Sequence, residues 1–323
     1  MARSLNWGIL STARIAVDSV IPAIKQSKNG KVVAIASRTK SKAEGIGRSF
    51  GIPSRFASYE GLLNSPEVEA VYIPLPNGLH KEWVIRAAEH GKHILCEKPI
   101  STNASDCKEM IDACKSHGVL LMEGFMYRFH PQTIRMRELL DKWVLGRVSL
   151  VRSSFTILLS DTADIRYQRS LGGGCLFDVG SYCVNVTNSI IHDDPVEVHA
   201  MARLDKEEGV DVVFSGLIRF KDNSSGLFDS SFTSPYRHHL EIVGEEGTLE
   251  VPNPFSPRSR PTMLLHSGTT RRIVSPAGNM YRLMVEHFSE CVLENREPSF
   301  TLRESLRNMQ LIDSLLESSR RDQ

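Results

Sequence analysis

The first 125 residues alternate between short apolar runs and segments with the apolar spacing of a helix, and this alternation limits the fold more than any other feature. Apolar runs at Trp7–Leu10, Lys31–Ser37, Glu69–Pro74 and His93–Glu97 predict strands, each followed by a helical segment. The runs are continuous rather than alternating with polar residues, which is typical of strands buried on both faces. The pattern therefore predicts an α/β domain, a parallel sheet covered by helices on both sides.

The pattern changes after Gly124, and 323 residues also exceed the size of one usual core. Longer strand-like stretches follow, and turns such as Lys221–Asn223 and Gly244–Gly247 separate some of them as in antiparallel hairpins. The predicted strands are Arg147–Leu159, Val196–Leu204, Val210–Phe220, Ser224–Ser231, His238–Val243 and Gly247–Val251. We expect two domains: a dinucleotide-binding domain over 1–124, and an α+β domain with a large, mostly antiparallel open sheet over 125–323. The C-terminal helix is expected to pack back on the first domain.

Charge and cysteine content narrow the classes of partner. The net charge is +1, and acids and bases are spread along the chain, so neither nucleic acid nor a membrane is predicted as a partner. The N-terminus runs directly into a strand-like segment without the pattern of a signal peptide. The six cysteines form neither a Cys-x-x-Cys pair nor a cluster with zinc spacing, which predicts reduced thiols, no metal site and a cytoplasmic location.

The turn after the first strand is a candidate site for a dinucleotide pyrophosphate. Its residues are Ser11, Thr12, Ala13, Arg14 and Ile15. A dinucleotide-binding turn normally reads Gly-x-Gly-x-x-Gly or Ala, whereas Ser11 and Ala13 replace the first two glycines and only Ala16 fits. Small residues still allow close backbone approach, and a helix N-terminus can receive a pyrophosphate. An ordinary strand-to-helix turn is the alternative interpretation.

The end of the second strand bears on which dinucleotide would bind. An acidic residue there would bind the ribose 2′-hydroxyl of NAD, but this chain has Ser37, Arg38, Thr39 and Lys42. Arginine presents a planar fork suited to phosphate, and the hydroxyls can donate further hydrogen bonds. The segment therefore favours the 2′-phosphate of NADP over NAD, although a solvated basic loop would look the same.

Two further strand ends point to the nicotinamide half of a cofactor. Leu75, Pro76, Asn77 and His80 follow one strand. Asn77 could contact the cofactor or only cap the following helix, and His80 could have a supporting role. Glu97 and Lys98 follow the next strand, and Pro99 ends it. Because ligands bind at the carboxyl edge of open parallel sheets, Lys98 is expected near a bound nucleotide.

A candidate catalytic group lies in the second domain. Gly172, Gly173 and Gly174 precede a predicted helix over Cys175–Ile191, on which Asp178 and Tyr182 share one face. The alternative interpretation is structural, since a capping acid and a half-buried tyrosine are common on any helix. Together with Lys98 the two residues suggest acid–base catalysis, because a tyrosine with a pKa near 10 needs a nearby ammonium to act as a base at neutral pH. Such a cluster could move the hydroxyl proton when a secondary alcohol or hemiacetal is oxidised by hydride transfer from its carbon.

Several motifs together resemble the glucose–fructose oxidoreductase, inositol dehydrogenase and rhizopine-catabolism (Gfo/Idh/MocA) family. They are the segments 7–16, 74–80, 91–99 and 122–131 and the glycine-rich Asp178/Tyr182 segment. The resemblance implies a Rossmann domain, a substrate domain with an open sheet, and an NAD(P)-linked reaction on sugars or cyclitols. It implies that Lys98 lies between nicotinamide and substrate and assists Tyr182, the proton donor or acceptor. Tyrosine at this position and the run from Met126 to Pro131 are most similar to the branch of D-xylose and dihydrodiol dehydrogenases.

The resemblance also implies a pocket, a reaction and an assembly. Phe125, Arg128, Phe129 and His130 are expected to line the substrate pocket or to support the domain junction. NADP-dependent oxidation of a pyranose at carbon 1 is the leading hypothesis. A keto-sugar reductase, a trans-dihydrodiol dehydrogenase and a non-catalytic NADP-binding sensor are the alternatives. An open sheet with one uncovered face is usually buried against a partner, so a homodimer or homotetramer is expected.

Overall fold

The chain forms two compact units in a computed structural model that describes residues 3–257 and 259–321. The first unit contains the residues up to 126 together with 279–306, and the second contains 127–278 together with the residues from 307 onward. The division into domains 1–124 and 125–323 stays a prediction.

A six-stranded parallel sheet is the centre of the first unit. Its strands are β1 (Leu5–Leu10), β2 (Gly30–Ala36), β3 (Ser54–Phe56), β4 (Ala70–Ile73), β5 (His93–Cys96) and β6 (Leu121–Glu123). Their order is β3-β2-β1-β4-β5-β6, and every neighbouring pair is parallel. This order is that of the doubly wound dinucleotide-binding fold, with the topological switch point between β1 and β4. The predicted parallel Rossmann sheet is confirmed.

Helices connect the strands of this sheet. They are α1 (Ile21–Gln26), preceded by a π-helical turn over Ala16–Val20, and α2 (Lys40–Ser49), α3 (Tyr59–Leu63), α4 (His80–Glu89) and α5 (Ala104–Ser116). Neither β3 nor α3 is predicted from the sequence, because three and five residues are too short to show a period.

A large mixed sheet is the centre of the second unit. Its strands are β7 (Val148–Leu158), β8 (Pro195–Leu204), β9 (Asp211–Phe220), β10 (Ser225–Ser231), β11 (Thr233–Gly244), β12 (Gly247–Pro252), β13 (Thr262–Ser267) and β14 (Thr269–Val274). The order is β14-β13-β12-β11-β7-β10-β9-β8, in which β7 and β10 are parallel and the other neighbours antiparallel. The predicted, mostly antiparallel sheet is confirmed. The hairpin of β13 and β14 is missing from the sequence prediction, because most of β14 is exposed and it lacks an apolar face.

Helices cover one face of the second sheet and leave the other face open. Helix α6 (Pro131–Asp141) follows a 3₁₀ turn at Met126–Phe129, and α7 (Ser181–Ile190) follows a π-helical turn over Leu176–Gly180. Gly226 faces Thr187 of α7, and Gly216 faces Leu315 of α9 (Leu302–Arg321), so these two helices pack closely on the strands. The strand residues that alternate with the buried ones, such as Met201 and Leu217, are exposed. No helix in the described ranges combines the length and hydropathy that a bilayer crossing requires.

The last two helices are divided between the units. Helix α8 (Met280–Glu294) packs within the first unit, where the rings of Trp7 and Phe288 have centroids 5.0 Å apart. The indole Nε1 of Trp7 donates a hydrogen bond to Ser289 Oγ at 3.2 Å. A segment late in the chain thus completes the core of the N-terminal unit.

Candidate functional site

The parallel sheet brings the predicted cofactor residues to one edge. The strands β1, β2, β4 and β5 all end there, and the segments 11–15, 37–42, 75–80 and 97–98 follow directly. Ligands of this class of sheet bind outside the carboxyl ends of the strands, at the switch point. The first unit therefore has the topology of a dinucleotide site.

The turn after β1 closes without glycine. Ser11 has a φ of 158°, and its Oγ accepts a hydrogen bond from the Ala13 backbone N–H at 3.0 Å. Thr12, Ala13 and Ile15 are partly exposed, and Arg14 forms an exposed ion pair with Asp18. Small side chains at the start of a helical segment leave its backbone accessible to a phosphate group.

The loop after β2 is basic and exposed. The Ser37 hydroxyl is buried and accepts a hydrogen bond from the Thr39 N–H at 3.2 Å. The side chains of Arg38, Thr39 and Lys42 are exposed. An exposed guanidinium beside a hydroxyl fits a ribose 2′-phosphate, because arginine donates a planar pair of hydrogen bonds.

His80 connects two of the loops at this edge. Its ring is fully buried, with Nδ1 3.0 Å from the Pro99 carbonyl oxygen and Nε2 2.8 Å from that of Leu75. Burial lowers the pKa of His80, although the neighbouring carbonyls act in the opposite direction. The geometry gives His80 the supporting position between the loop after β4 and the turn at Lys98. Cofactor contact by Leu75, Pro76 and Asn77 stays a prediction.

The Glu97–Pro99 turn rests on a buried tyrosine. The Tyr72 hydroxyl donates to Glu97 Oε1 at 2.5 Å, and burial together with Glu97 raises the pKa of Tyr72 well above its usual value. The Lys98 N–H faces Glu97 Oε2 at 3.3 Å, and the Ile100 N–H donates to the buried Glu123 at 2.9 Å. The backbone that carries the partly exposed Lys98 side chain is therefore held from several sides.

In the second unit, a buried acid fixes the start of the π-helical turn that carries Asp178 and leads into helix α7 with Tyr182. Asp211 Oδ2 accepts the Leu176 N–H at 2.6 Å and the Cys175 thiol at 3.1 Å. Burial raises the pKa of Asp211. Gly174 has a φ of +120°, and a Cβ there would overlap Asp211 Oδ1, so glycine is required for this approach.

Asp178 is held by a residue that the sequence did not indicate. Arg166 Nε donates to Asp178 Oδ2 at 2.8 Å. The guanidinium also contacts Asp164, whose two carboxylate oxygens lie 3.2 and 3.1 Å from Nη1. The carboxylate of Asp178 is 19% exposed, so it is partly shielded but accessible from solvent.

Tyr182 lies in an aromatic cluster and is 6% exposed. Its ring centroid is 5.9 Å from that of Tyr127 and 5.3 Å from those of Phe155 and Phe255. The Tyr127 hydroxyl donates to Asn185 Oδ1 at 2.6 Å. Packing against three rings limits the rotamers of the Tyr182 side chain, and its role in proton transfer stays a prediction.

The segment 125–130 contributes to packing. Phe125 is fully buried and contacts Phe300 edge to face, with centroids 5.9 Å apart. His130 is buried, and its Nδ1 accepts the Gln132 N–H at 3.1 Å, which caps α6. Arg128 is half-buried. A role of these residues in lining the substrate pocket stays a prediction.

Sequence reasoning missed Arg166, Asp211, Phe155 and Phe255. Only Asp211 carried a signal, an acid at the start of an apolar strand. Phe255 belongs to the proline-rich loop after β12, whose path no periodic pattern indicates. Within 3–257 and 259–321, no three His, Cys, Asp or Glu side chains form a group that could hold a metal ion.

Comparison with known proteins agrees with this geometry. Residues 5–125 match the Gfo/Idh/MocA oxidoreductase family with an NAD-binding Rossmann fold, and residues 133–250 match the Gfo/Idh/MocA C-terminal domain. D-xylose 1-dehydrogenase (NADP+) of Haloferax volcanii is 38% identical over 98% of this chain and 97% of that protein.

The names of two other relatives indicate different substrates. Trans-1,2-dihydrobenzene-1,2-diol dehydrogenase of Xenopus laevis is 29% identical over 97% of both chains. A 3-ketoreductase from Actinomadura kijaniata, solved with NADP and TDP-benzene, has a TM-score of 0.92 and 29% identity over 98% of both chains. The sequence matches and the fold together show that this chain belongs to the Gfo/Idh/MocA family of oxidoreductases.

Proposed function

We propose that the protein is an NADP-dependent dehydrogenase that oxidises the carbon 1 hydroxyl of an aldose pyranose and gives a lactone. The observation that supports the proposal is that each candidate side chain lies on backbone held by buried hydrogen bonds within its own unit. Lys98 follows β5 on a turn held by buried bonds, and Asp178 lies in the π-helical turn that Asp211 anchors, directly before helix α7 with Tyr182. The D-xylose 1-dehydrogenase of Haloferax volcanii, similar over nearly the whole chain, supports the substrate class.

The roles follow from the chemistry of the side chains. When bound, NADP+ supplies the acceptor for the hydride that leaves carbon 1. Tyr182 as phenolate takes the proton of the carbon 1 hydroxyl, so that the C–O bond becomes the lactone carbonyl. The role proposed for the Lys98 ammonium is to favour that phenolate, since a nearby positive charge stabilises the charged form of a phenol. The Asp178 carboxylate accepts a hydrogen bond from a substrate hydroxyl and orients the ring.

The preference for NADP rests on the loop after β2. Arg38 and Thr39 would hold the 2′-phosphate, and Ser11 and Ala13 at the turn after β1 would approach the pyrophosphate. No acidic side chain follows β2 among Ser37, Arg38 and Thr39 to bind a ribose 2′-hydroxyl. The xylose dehydrogenase is named for NADP+, and the ketoreductase was solved in complex with NADP. Both accord with this preference.

A substrate panel with variants tests the proposal. Aldoses, polyols and dihydrodiols are assayed with NADP+ and NAD+, and D-xylose with NADP+ is expected to give the highest kcat/KM. Tyr182→Phe is expected to lower kcat/KM by about 100-fold or more, because the proton acceptor is lost. Lys98→Ala should lower it as well. Tyr167→Phe, at a buried tyrosine bonded to the Leu159 carbonyl, is the matched control and should retain activity.

Two results would overturn the mechanism or the substrate. Full activity in both Lys98→Ala and Tyr182→Phe would remove the assigned roles and would favour other groups. Binding of NADP+ without turnover of any substrate would favour the non-catalytic sensor.

Reduction of a keto-sugar is the second candidate. The likeness to the 3-ketoreductase, at a TM-score of 0.92, favours it specifically, and the same Lys98 and Tyr182 would serve with the proton moving toward the substrate. The dihydrodiol dehydrogenase relative favours a third substrate for the same site. Initial rates in both directions separate these reactions, since rapid keto-sugar reduction without aldose oxidation would exclude the leading proposal.

Self-association is proposed through the open face of the second sheet. A groove of about 420 Å³ crosses the neighbouring strands β7, β10, β9 and β8 there, and Met201, Leu217 and Leu227, which line it, are exposed. A homodimer or homotetramer would bury these side chains. Light scattering on Leu217→Asp should show dissociation, whereas Ile134→Asp on α6 should not. A monomeric wild type would refute the proposal. A cytoplasmic location is also proposed, in accord with six buried cysteines without a disulfide.

A further inference from the structure

The guanidinium of Arg166 bridges two carboxylates beside the candidate active site. Nε donates to Asp178 at 2.8 Å, and Nη1 contacts Asp164. Both partners raise the pKa of Arg166, with Asp178 contributing most, although burial lowers it. The Arg166 side chain is 43% exposed, so the pair is only partly shielded from solvent, and its value is geometric rather than a large contribution to stability.

The backbone of Arg166 is fixed as firmly as its side chain. Asp164 accepts the Arg166 N–H at 2.9 Å and so caps the short 3₁₀ turn at Ile165–Tyr167. The Arg166 carbonyl accepts the Gly174 N–H at 2.9 Å. A Cβ on Gly173 would lie 2.5 Å from that carbonyl oxygen, so the glycine run is what lets the Arg166 loop close on the helix start.

We propose that Arg166 is a positioning residue, which holds the Asp178 carboxylate in the single orientation that accepts a hydrogen bond from the substrate. The inference rests on the proposed function, because only in that function does Asp178 have a substrate to orient. Nε gives the Asp178 carboxylate one directed, charge-assisted hydrogen bond, and the contacts of Nη1 with both oxygens of Asp164 fix the planar group that donates it. Asp164 in turn holds Arg166 and does not contact the substrate in this account.

A double-mutant cycle tests whether Arg166 acts through Asp178. Arg166→Met is expected to lower kcat/KM for D-xylose by about 100-fold, as misplacement of a positioning group does. In an Asp178→Asn background the same substitution should change kcat/KM by less than about threefold, because the group that it positions is already altered. Arg166→Lys should restore part of the activity. The Kd for NADP+, measured by fluorescence, should remain unchanged in all variants.

Additive effects of Arg166→Met and Asp178→Asn would overturn the proposal, as would a loss of NADP+ affinity parallel to the loss of activity. Asp164→Asn is the matched control, which keeps the Arg166–Asp178 contact and should cost less activity than Arg166→Met. Crystal structures of wild type and Arg166→Met give a readout that needs no turnover. An unchanged Asp178 rotamer in the variant would refute positioning even if no sugar is a substrate, whereas a wild type inactive on the whole panel refutes the proposed function alone.

Discussion

Two of the turns that lead into a candidate site, one after a strand and one after a loop, are built in opposite ways. The turn at 11–15 contains no glycine, and the Ser11 hydroxyl bonds back to the Ala13 N–H. The turn at 172–174 contains three glycines, which bring the Arg166 carbonyl and the Asp211 carboxylate against the helix start. A π-helical turn follows in both cases, at Ala16–Val20 and Leu176–Gly180.

The difference shows what glycine is needed for in this protein. At the first turn the residues are partly or fully exposed, and a small side chain is tolerated. At the second turn, groups of the protein itself occupy the space that a Cβ would take. We therefore expect substitutions at the second turn to reduce stability. Substitutions at the strand ends of the first unit, in the turn at 11–15 and the loop after β2, are expected to alter cofactor binding.

The largest effect is expected for Gly174→Ala. The new Cβ would overlap Asp211 Oδ1, and φ of +120° is unfavourable for alanine. Strain and overpacking together should lower the free energy of unfolding by about 3 kcal/mol. Gly45→Ala on α2, where nothing lies within 4 Å of the added Cβ, is the control and should be neutral or stabilising. Chemical denaturation measures the free energy of unfolding of both variants. Equal values would show that glycine is not required at the second turn.

Asp211→Ala should have the next largest effect. It leaves the buried Leu176 N–H without its acceptor, which should cost about 2 kcal/mol in unfolding free energy. Asp205→Ala removes an acceptor of backbone N–H groups, among them those of the exposed Glu207 and Glu208, where water can replace it, and should cost less. Thermal unfolding of the two variants gives the contrast. A larger loss for Asp205→Ala would show that burial is not the deciding factor.

At the first edge, Arg38→Ala is expected to affect binding rather than stability. Loss of the guanidinium should raise the Kd for NADP+ about tenfold, because a charge-assisted contact with phosphate is removed. The Kd for NAD+ should not change. Lys31→Ala, an exposed lysine at the other end of β2, is the control for loss of charge. An equal rise in the Kd values for NADP+ and NAD+ would show that Arg38 does not bind the 2′-phosphate.

Ser11→Gly should have the smallest effect. It releases the Ala13 N–H from the serine hydroxyl and restores the glycine usual at this position. We expect less than about threefold change in the Kd for NADP+ and a loss of stability of at most about 1 kcal/mol, the entropic cost of glycine. Ser11→Ala separates the lost hydrogen bond from the added flexibility. A large loss of NADP+ affinity in Ser11→Gly would show that the serine itself binds the cofactor.

Strong periodicity made most of the fold predictable. Parallel strands such as β1 and β4 are continuous apolar runs, and the later strands alternate clearly, so both sheets followed from local pattern. Short elements such as β3, and the mostly exposed β14, gave no such signal. In the site, Lys98, Asp178 and Tyr182 stood out because motifs surround them, and their joint action remains a proposal.

By itself, the sequence determined the residue types and their order along the chain: a lysine after a buried strand, a basic loop without an acid, and an aspartate and a tyrosine four residues apart. Only the tertiary structure decided which groups hold them. Arg166 reaches Asp178, and Asp211 reaches the helix start from a strand 35 residues later. Such contacts depend on sheet register and loop closure, which join residues distant in the chain and leave no periodic trace in the sequence.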